Sequence, residues 1–160
     1  MKKRHFLNTV VVSLAVAGAG CITVGSKSTH KLDPADYDET IRVACVGDSI
    51  TFGAGIKDRK NHNYPLVMGK SLGDRFDVRN FGVSGATMLK KGDFSYWERP
   101  EFKQATEFNP HVVIIKLGTN DTKPQNWKHS AEYAADYEAM IDHFAALPTK
   151  PKIWLCSPAP

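Results

Sequence analysis

The sequence predicts an α/β protein built on a parallel sheet, and two observations carry that prediction. Short, continuously apolar runs rich in β-branched residues alternate with longer segments of helical spacing, as in strands covered on both faces by helices. The polar, glycine-rich clusters "GDSIT", "NFGVSGAT" and "LGTND" each fall just after one of those runs. Those are carboxyl ends of strands, where open parallel sheets place their sites.

In chain order, "IRVACVG" is the first strand, short and apolar throughout. "YPLVMGKSLGDRF" is a helix with Pro65 near its start and Leu66, Val67 and Leu72 as its apolar face. "FDVRNFG" is the second strand, and "YWERPEFKQATEF" turns helical after Pro100. "HVVIIKLG" is the third strand. "HSAEYAADYEAMIDHFAAL" is the clearest helix, with Ala134, Tyr137, Ile141 and Phe144 near the 3.6-residue period, and it stops before Pro148. "PKIWLCSPAP" is a fourth strand. Strand and helix alternating in this way imply right-handed crossovers in a single sheet.

Ahead of the domain, residues 1–20 read as a signal peptide. "MKKRH" is a basic start and "FLNTVVVSLAVAGAG" an apolar run. The run is short against the roughly 20 residues of a bilayer span. Two processing readings stand. Ala17-Gly18-Ala19 has the small-x-small form of an ordinary cleavage site, while "AGAGC" is similar to a bacterial lipoprotein box with Cys21 as the lipidation site. Either way the expectation is export to the periplasm, cell surface or medium, with membrane anchoring only through a lipid on Cys21. Residues 21–41 are polar, lack a period and read as a linker, leaving 42–160 as one domain.

Charge adds an exclusion. The formal net charge is +4, but removing Lys2, Lys3 and Arg4 leaves 18 positive residues against 17 acidic ones, a net of +1. No basic stripe remains to follow a phosphate backbone, so a nucleic-acid partner is not expected. Cys45 and Cys156 sit in apolar, non-adjacent strands and read as two core thiols. No His/Cys/carboxylate group has metal spacing, so neither metal nor cofactor is expected.

Each glycine-rich cluster has a plain reading beside a chemical one. Ser49 follows a strand and opens a helical turn, as a nucleophile would, yet Asp48 and Ser49 are also ordinary helix-capping residues. Gly82 and Gly85 flank Ser84, either to bring backbone N–H groups to a ligand or simply to turn. Asn120 has an amide able to face an oxyanion, or forms an Asx turn, and Asn120-Asp121-Thr122 matches a glycosylation sequon. Asp121 orients that loop or caps it.

Taken in register, "GDSIT", the glycine of "NFGVSGAT" and "GTND" resemble the first three blocks of the SGNH, or GDSL-type, esterases and lipases, over residues 42–160. The resemblance implies a three-layer α/β/α flavodoxin-like fold with strand order 2-1-3-4-5. It also implies that Ser49 is the nucleophile and that the oxyanion is held by the N–H groups of Ser49 and Gly85 and the side chain of Asn120. The sequence departs from the family in one respect: the last block, Asp-x-x-His, does not follow "GTND", and the chain ends within the fourth strand. A serine hydroxyl is a weak nucleophile without a base. The expectation is therefore a fold truncated after that strand. His111 is at the wrong end of the sheet and His143 far along a helix, so His62 and His129 are the only substitutes. Trp97 and Trp127 follow motif loops and are read either as sugar-stacking residues or as packing. The chain is similar to secreted carbohydrate or sialate O-acetylesterases, which points to an O-acetyl ester of a carbohydrate. The alternatives are a lysophospholipid or thioester substrate, or a non-catalytic glycan-binding module. A nucleotide-binding domain lacks its Gly-x-Gly-x-x-Gly or P-loop lysine.

Overall fold

The computed structural model describes residues 31–157; the segment read as a signal peptide, Cys21 and the first part of the stretch read as a linker lie outside the described residues. Ten named elements follow in order: β1 (Ile41–Gly47), α1 (Ser49–Phe52), α2 (Arg59–His62), α3 (Tyr64–Leu72), β2 (Phe76–Gly82), α4 (Pro100–Glu107), β3 (Val112–Lys116), α5 (Pro124–Trp127), α6 (Tyr133–Ala145) and β4 (Lys152–Leu155). All four strands run parallel, in the order β2-β1-β3-β4. The expected α/β architecture and the expected neighbours of β1 are both present. In register, Gly47 lies opposite Gly82 on one side and Lys116 on the other, which brings three carboxyl ends level.

Alternation along β1 and β3 divides the interior in two. Ala44, Val46, Val113 and Ile115 face α4 and α6, where Tyr96, Ala105, Met140 and Phe144 are fully buried. Ile41, Val43, Cys45, Val112 and Ile114 face the other way, toward Tyr64 and Met68 of α3 and toward Tyr37. Burying a side chain such as Phe144 contributes about 1.5–3 kcal/mol. Cys45 is buried and Cys156 half-buried; β3 lies between their strands, and both are free. Burial pushes the Cys45 thiol up to about 12.

Three expectations change. On α6 the inward stripe is Asp136, Met140 and Phe144, with Tyr137 and Ile141 beside it, whereas Ala134 is exposed. The helix is turned by the Asp136 carboxylate, which accepts the Lys90 N–H at 2.8 Å. On α3, Val67 and Leu72 are 45% and 43% exposed. That helix meets β2 through Gly69, where an added Cβ would come within 3.3 Å of Val78, so the opposite side is left open. The later part of the linker is not loose. Leu32 and Tyr37 pack on the second face, and the Arg75 Nη2 donates to the carbonyls of Pro34 (2.9 Å) and Tyr37 (2.7 Å).

Candidate active site

β1 delivers the chain to the turn Asp48-Ser49 between its two neighbours. The Asp48 N–H donates to the Lys116 carbonyl at 3.3 Å, fixing the turn to β3. Its carboxylate, fully buried, caps α1 by accepting the Ile50 N–H at 2.9 Å through Oδ1. Oδ2 of the same group has no partner among the described residues. Ser49 begins α1 and is half-exposed, and its carbonyl accepts from Gly53 and Ala54 at 2.9 Å each. The sharp strand-to-helix bend thus presents the hydroxyl at the carboxyl end of the central strand.

The second cluster separates its two glycines by task. A Cβ on Gly82 would overlap the backbone nitrogen of Phe52, so this glycine is where α1 crosses β2. Asn80 locks the crossing, donating from Nδ2 to the Thr51 carbonyl at 2.7 Å and accepting the Gly82 N–H at 2.8 Å. Gly85 has room for a Cβ but sits at φ 87°, a left-handed conformation costly for other residues. The Phe94 ring lies 3.9 Å from where that Cβ would stand, and the Arg99 guanidinium stacks on it at 4.3 Å.

From the other side of β1, β3 ends and leads into a 3-10 turn, Asn120–Thr122. Asn120 is buried and donates from Nδ2 to the Ala86 carbonyl at 3.0 Å, next to Gly85. One amide hydrogen is used there and a second remains. Asp121 behind it is fully buried and accepts the Met88 and Leu89 N–H groups at 2.9 and 2.7 Å. Burial, opposed by these two donors and reinforced by the charge of Asp48, pushes its carboxyl above the usual range. Asn126 accepts the Asp93 N–H at 2.8 Å and donates to the Asn120 carbonyl at 2.9 Å. Gly85, Ser49 and Asn120 therefore follow the carboxyl ends of the adjacent strands β2, β1 and β3 respectively.

The aromatic candidates part company. Trp97 is half-buried, donates its indole N–H to the Met88 carbonyl at 2.9 Å and packs on Phe102, which is a structural task. Tyr96 is fully buried with its hydroxyl on the Phe81 carbonyl at 2.7 Å. Trp127 is 48% exposed at the end of α5, with Tyr133 tilted against it at 6.0 Å. Of the histidines, His143 bonds the Thr106 hydroxyl (2.8 Å) and His111 meets Glu39 and Arg42 at the amino end of β3. His62 sits on α2, 3.4 Å from the Asp58 carboxylate, and His129 lies in the turn after α5. Asn126 and Asp136 escape sequence reading, and Asp121 reads only as orienting or capping its own loop. The one signal for them was a carboxylate, Asp136, sharing a helix face with Met140 and Phe144.

A parallel sheet whose inner strands β1 and β3 end in a serine turn and an asparagine turn is the arrangement of the SGNH hydrolases. The GDSL-like lipase/acylhydrolase family model matches residues 45–160. The chain belongs to that family. It is 46% identical to an acetylxylan esterase of Xylanibacter ruminicola, in an alignment covering 79% of this chain and 30% of that one. Among solved structures, an aryl esterase of M. smegmatis in inhibitor-bound form is similar with TM-score 0.59 and 23% identity, covering 75% of this chain and 65% of that one. A carbohydrate acetylesterase family member from Sinorhizobium meliloti gives TM-score 0.57 and 24% identity, covering 75% and 63%. The chain thus spans under a third of the curated relative and somewhat under two thirds of the structures it resembles.

Proposed function

We propose that this protein is an exported serine esterase that removes acetyl groups from a polysaccharide. The observation that carries the reading is the meeting of three groups at adjacent strand ends: the half-exposed Ser49, the positive-φ Gly85, and Asn120, whose amide is bonded to the carbonyl next to Gly85. Ser49 Oγ forms a bond to the ester carbonyl carbon and gives up its proton to a base. The carbonyl oxygen gains negative charge and is held by the N–H groups of Ser49 and Gly85 and by the free Asn120 amide hydrogen. The carbon–alkoxide bond then breaks, the sugar hydroxyl leaves with the proton, and water hydrolyses the acetyl-enzyme by the same route. The base is proposed to be an Asp-x-x-His pair following Pro160, in keeping with the share of its relatives that the chain spans. The acetylated-carbohydrate substrate is supported by the acetylxylan esterase relative, and the exposed Trp127 is proposed as a surface on which a sugar ring stacks. Export is proposed on the basic-then-apolar start, with either ordinary cleavage after the Ala17-Gly18-Ala19 segment or a lipid on Cys21 as a membrane anchor.

The test is acetate release from acetylated xylan by the full-length protein and by Ser49→Ala. Release by the wild type alone supports the reading; equal release by both proteins removes Ser49 from the mechanism.

A further inference from the structure

Between Ala86 and Asp93 the backbone is held from outside its own loop. The Ala86 carbonyl is taken by Asn120, the Met88 and Leu89 N–H groups by Asp121, the Lys90 N–H by Asp136 and the Asp93 N–H by Asn126. All four side chains come from residues 120–136, which follow β3, whereas the loop follows β2; in the sheet β1 lies between those two strands. Asp121 is distinct among them. Its two oxygens are both used on consecutive N–H groups, it has no exposure, and it is covalently next to Asn120. Any movement of the Gly85 loop relative to Asn120 must stretch one of these bonds.

We infer that Asp121 is a positioning residue for the oxyanion hole: by gripping Met88 and Leu89 it fixes the distance between the Gly85 N–H and the Asn120 amide. The inference rests on the esterase reading above and adds a residue that touches no reacting atom. A carboxylate suits the task because two donors need two acceptors at one point. An asparagine offers one acceptor and sets its NH₂ against an N–H. Misplacement of a catalytic donor by about 1 Å costs up to about 10²-fold in rate, so the effect belongs in kcat.

The experiment compares Asp121→Asn with wild type in the full-length protein, with p-nitrophenyl acetate as substrate and thermal unfolding as the control for folding. The expected result is a fall in kcat of about 10- to 10²-fold with KM nearly unchanged, and a parallel loss of affinity for an alkylboronic acid, which mimics the tetrahedral oxyanion. A folded variant with unchanged kcat, or one with only KM raised, overturns the inference. Amide hydrogen exchange in the wild type reads the grip without any variant. Met88 and Leu89 are expected among the protected amides, and free exchange at both overturns the inference even where Asp121→Asn does not fold. A wild type that neither hydrolyses the ester nor binds the boronate contradicts the esterase reading instead, and the exchange result then still decides whether Asp121 grips the loop.

Discussion

The two ends of the sheet are both polar and both partly buried, yet they are wired differently. At the amino end, Arg42 donates from Nε to the Asn109 carbonyl at 2.9 Å and pairs with Glu39 at 2.8 Å. His111 accepts the Arg42 backbone N–H on Nδ1 at 3.1 Å, and its Nε2 lies within hydrogen-bond distance of both Glu39 (3.2 Å) and the Arg42 guanidinium (3.1 Å). Thr149 closes the group on the Pro110 carbonyl at 2.6 Å. The groups satisfy one another and the strand ends. At the carboxyl end, Asp121, Asn126 and Asp136 bond the backbone of the loop that follows the positive-φ Gly85, and the neighbouring strand ends carry Ser49 and the Asn120 amide, which has a hydrogen to spare. A polar cluster that closes on itself contributes stability; one that props up unsatisfied donors contributes a site.

That contrast can be broken by exchanging the readouts. The largest effect is expected from Ser49→Ala, which removes about 10⁴-fold or more of the esterase rate while leaving the unfolding temperature unchanged, since the hydroxyl is not in the core. Asn120→Ala follows, with a loss of about 10²–10³ in kcat and a smaller change in KM; a change confined to KM would argue for substrate binding instead. Arg42→Ala should do the opposite. It leaves kcat per folded molecule unaltered and lowers stability by about 1–3 kcal/mol in a denaturant titration, because the Asn109 carbonyl and the Glu39 carboxylate lose their guanidinium partner.

The smallest expected effect is on pH. Burial, aided by the Arg42 charge, holds His111 below the ordinary histidine range, with Glu39 opposing; burial does the same to His143. A group whose folded value is depressed binds more protons when unfolded. Its contribution is therefore present above the unfolded value near 6.5 and lost as the pH falls through the folded one. Denaturant midpoints should drop between pH 7.5 and the acid side of that window, and His111→Gln should flatten the slope. An unchanged slope would assign the effect to His143.

Much of this was legible beforehand, for physical reasons that differ by element. The four strands announce themselves because buried parallel strands need apolar, β-branched runs, and "VVIIK" has no other use. The rule that loops at carboxyl ends carry sites locates the three glycine-rich clusters, and only the resemblance to the SGNH blocks singles out Ser49, Gly85 and Asn120 within them. The face of α6 was misjudged by periodicity alone, since Asp136 is buried for a hydrogen bond to a loop residue 46 positions away. Asp121 reaches back 32 and 33 positions to its partners. Local patterns hold no record of such pairings. Trp97 shows the same limit: nothing local in the sequence tells that its indole N–H bonds the Met88 carbonyl.

The most direct measurement of the central claim is the reaction of the full-length protein with a fluorophosphonate, followed by intact mass and peptide mapping. The account predicts one adduct, on Ser49, formed in step with the loss of esterase activity. Hydrolysis that persists with no adduct, or an adduct on another residue, would contradict it.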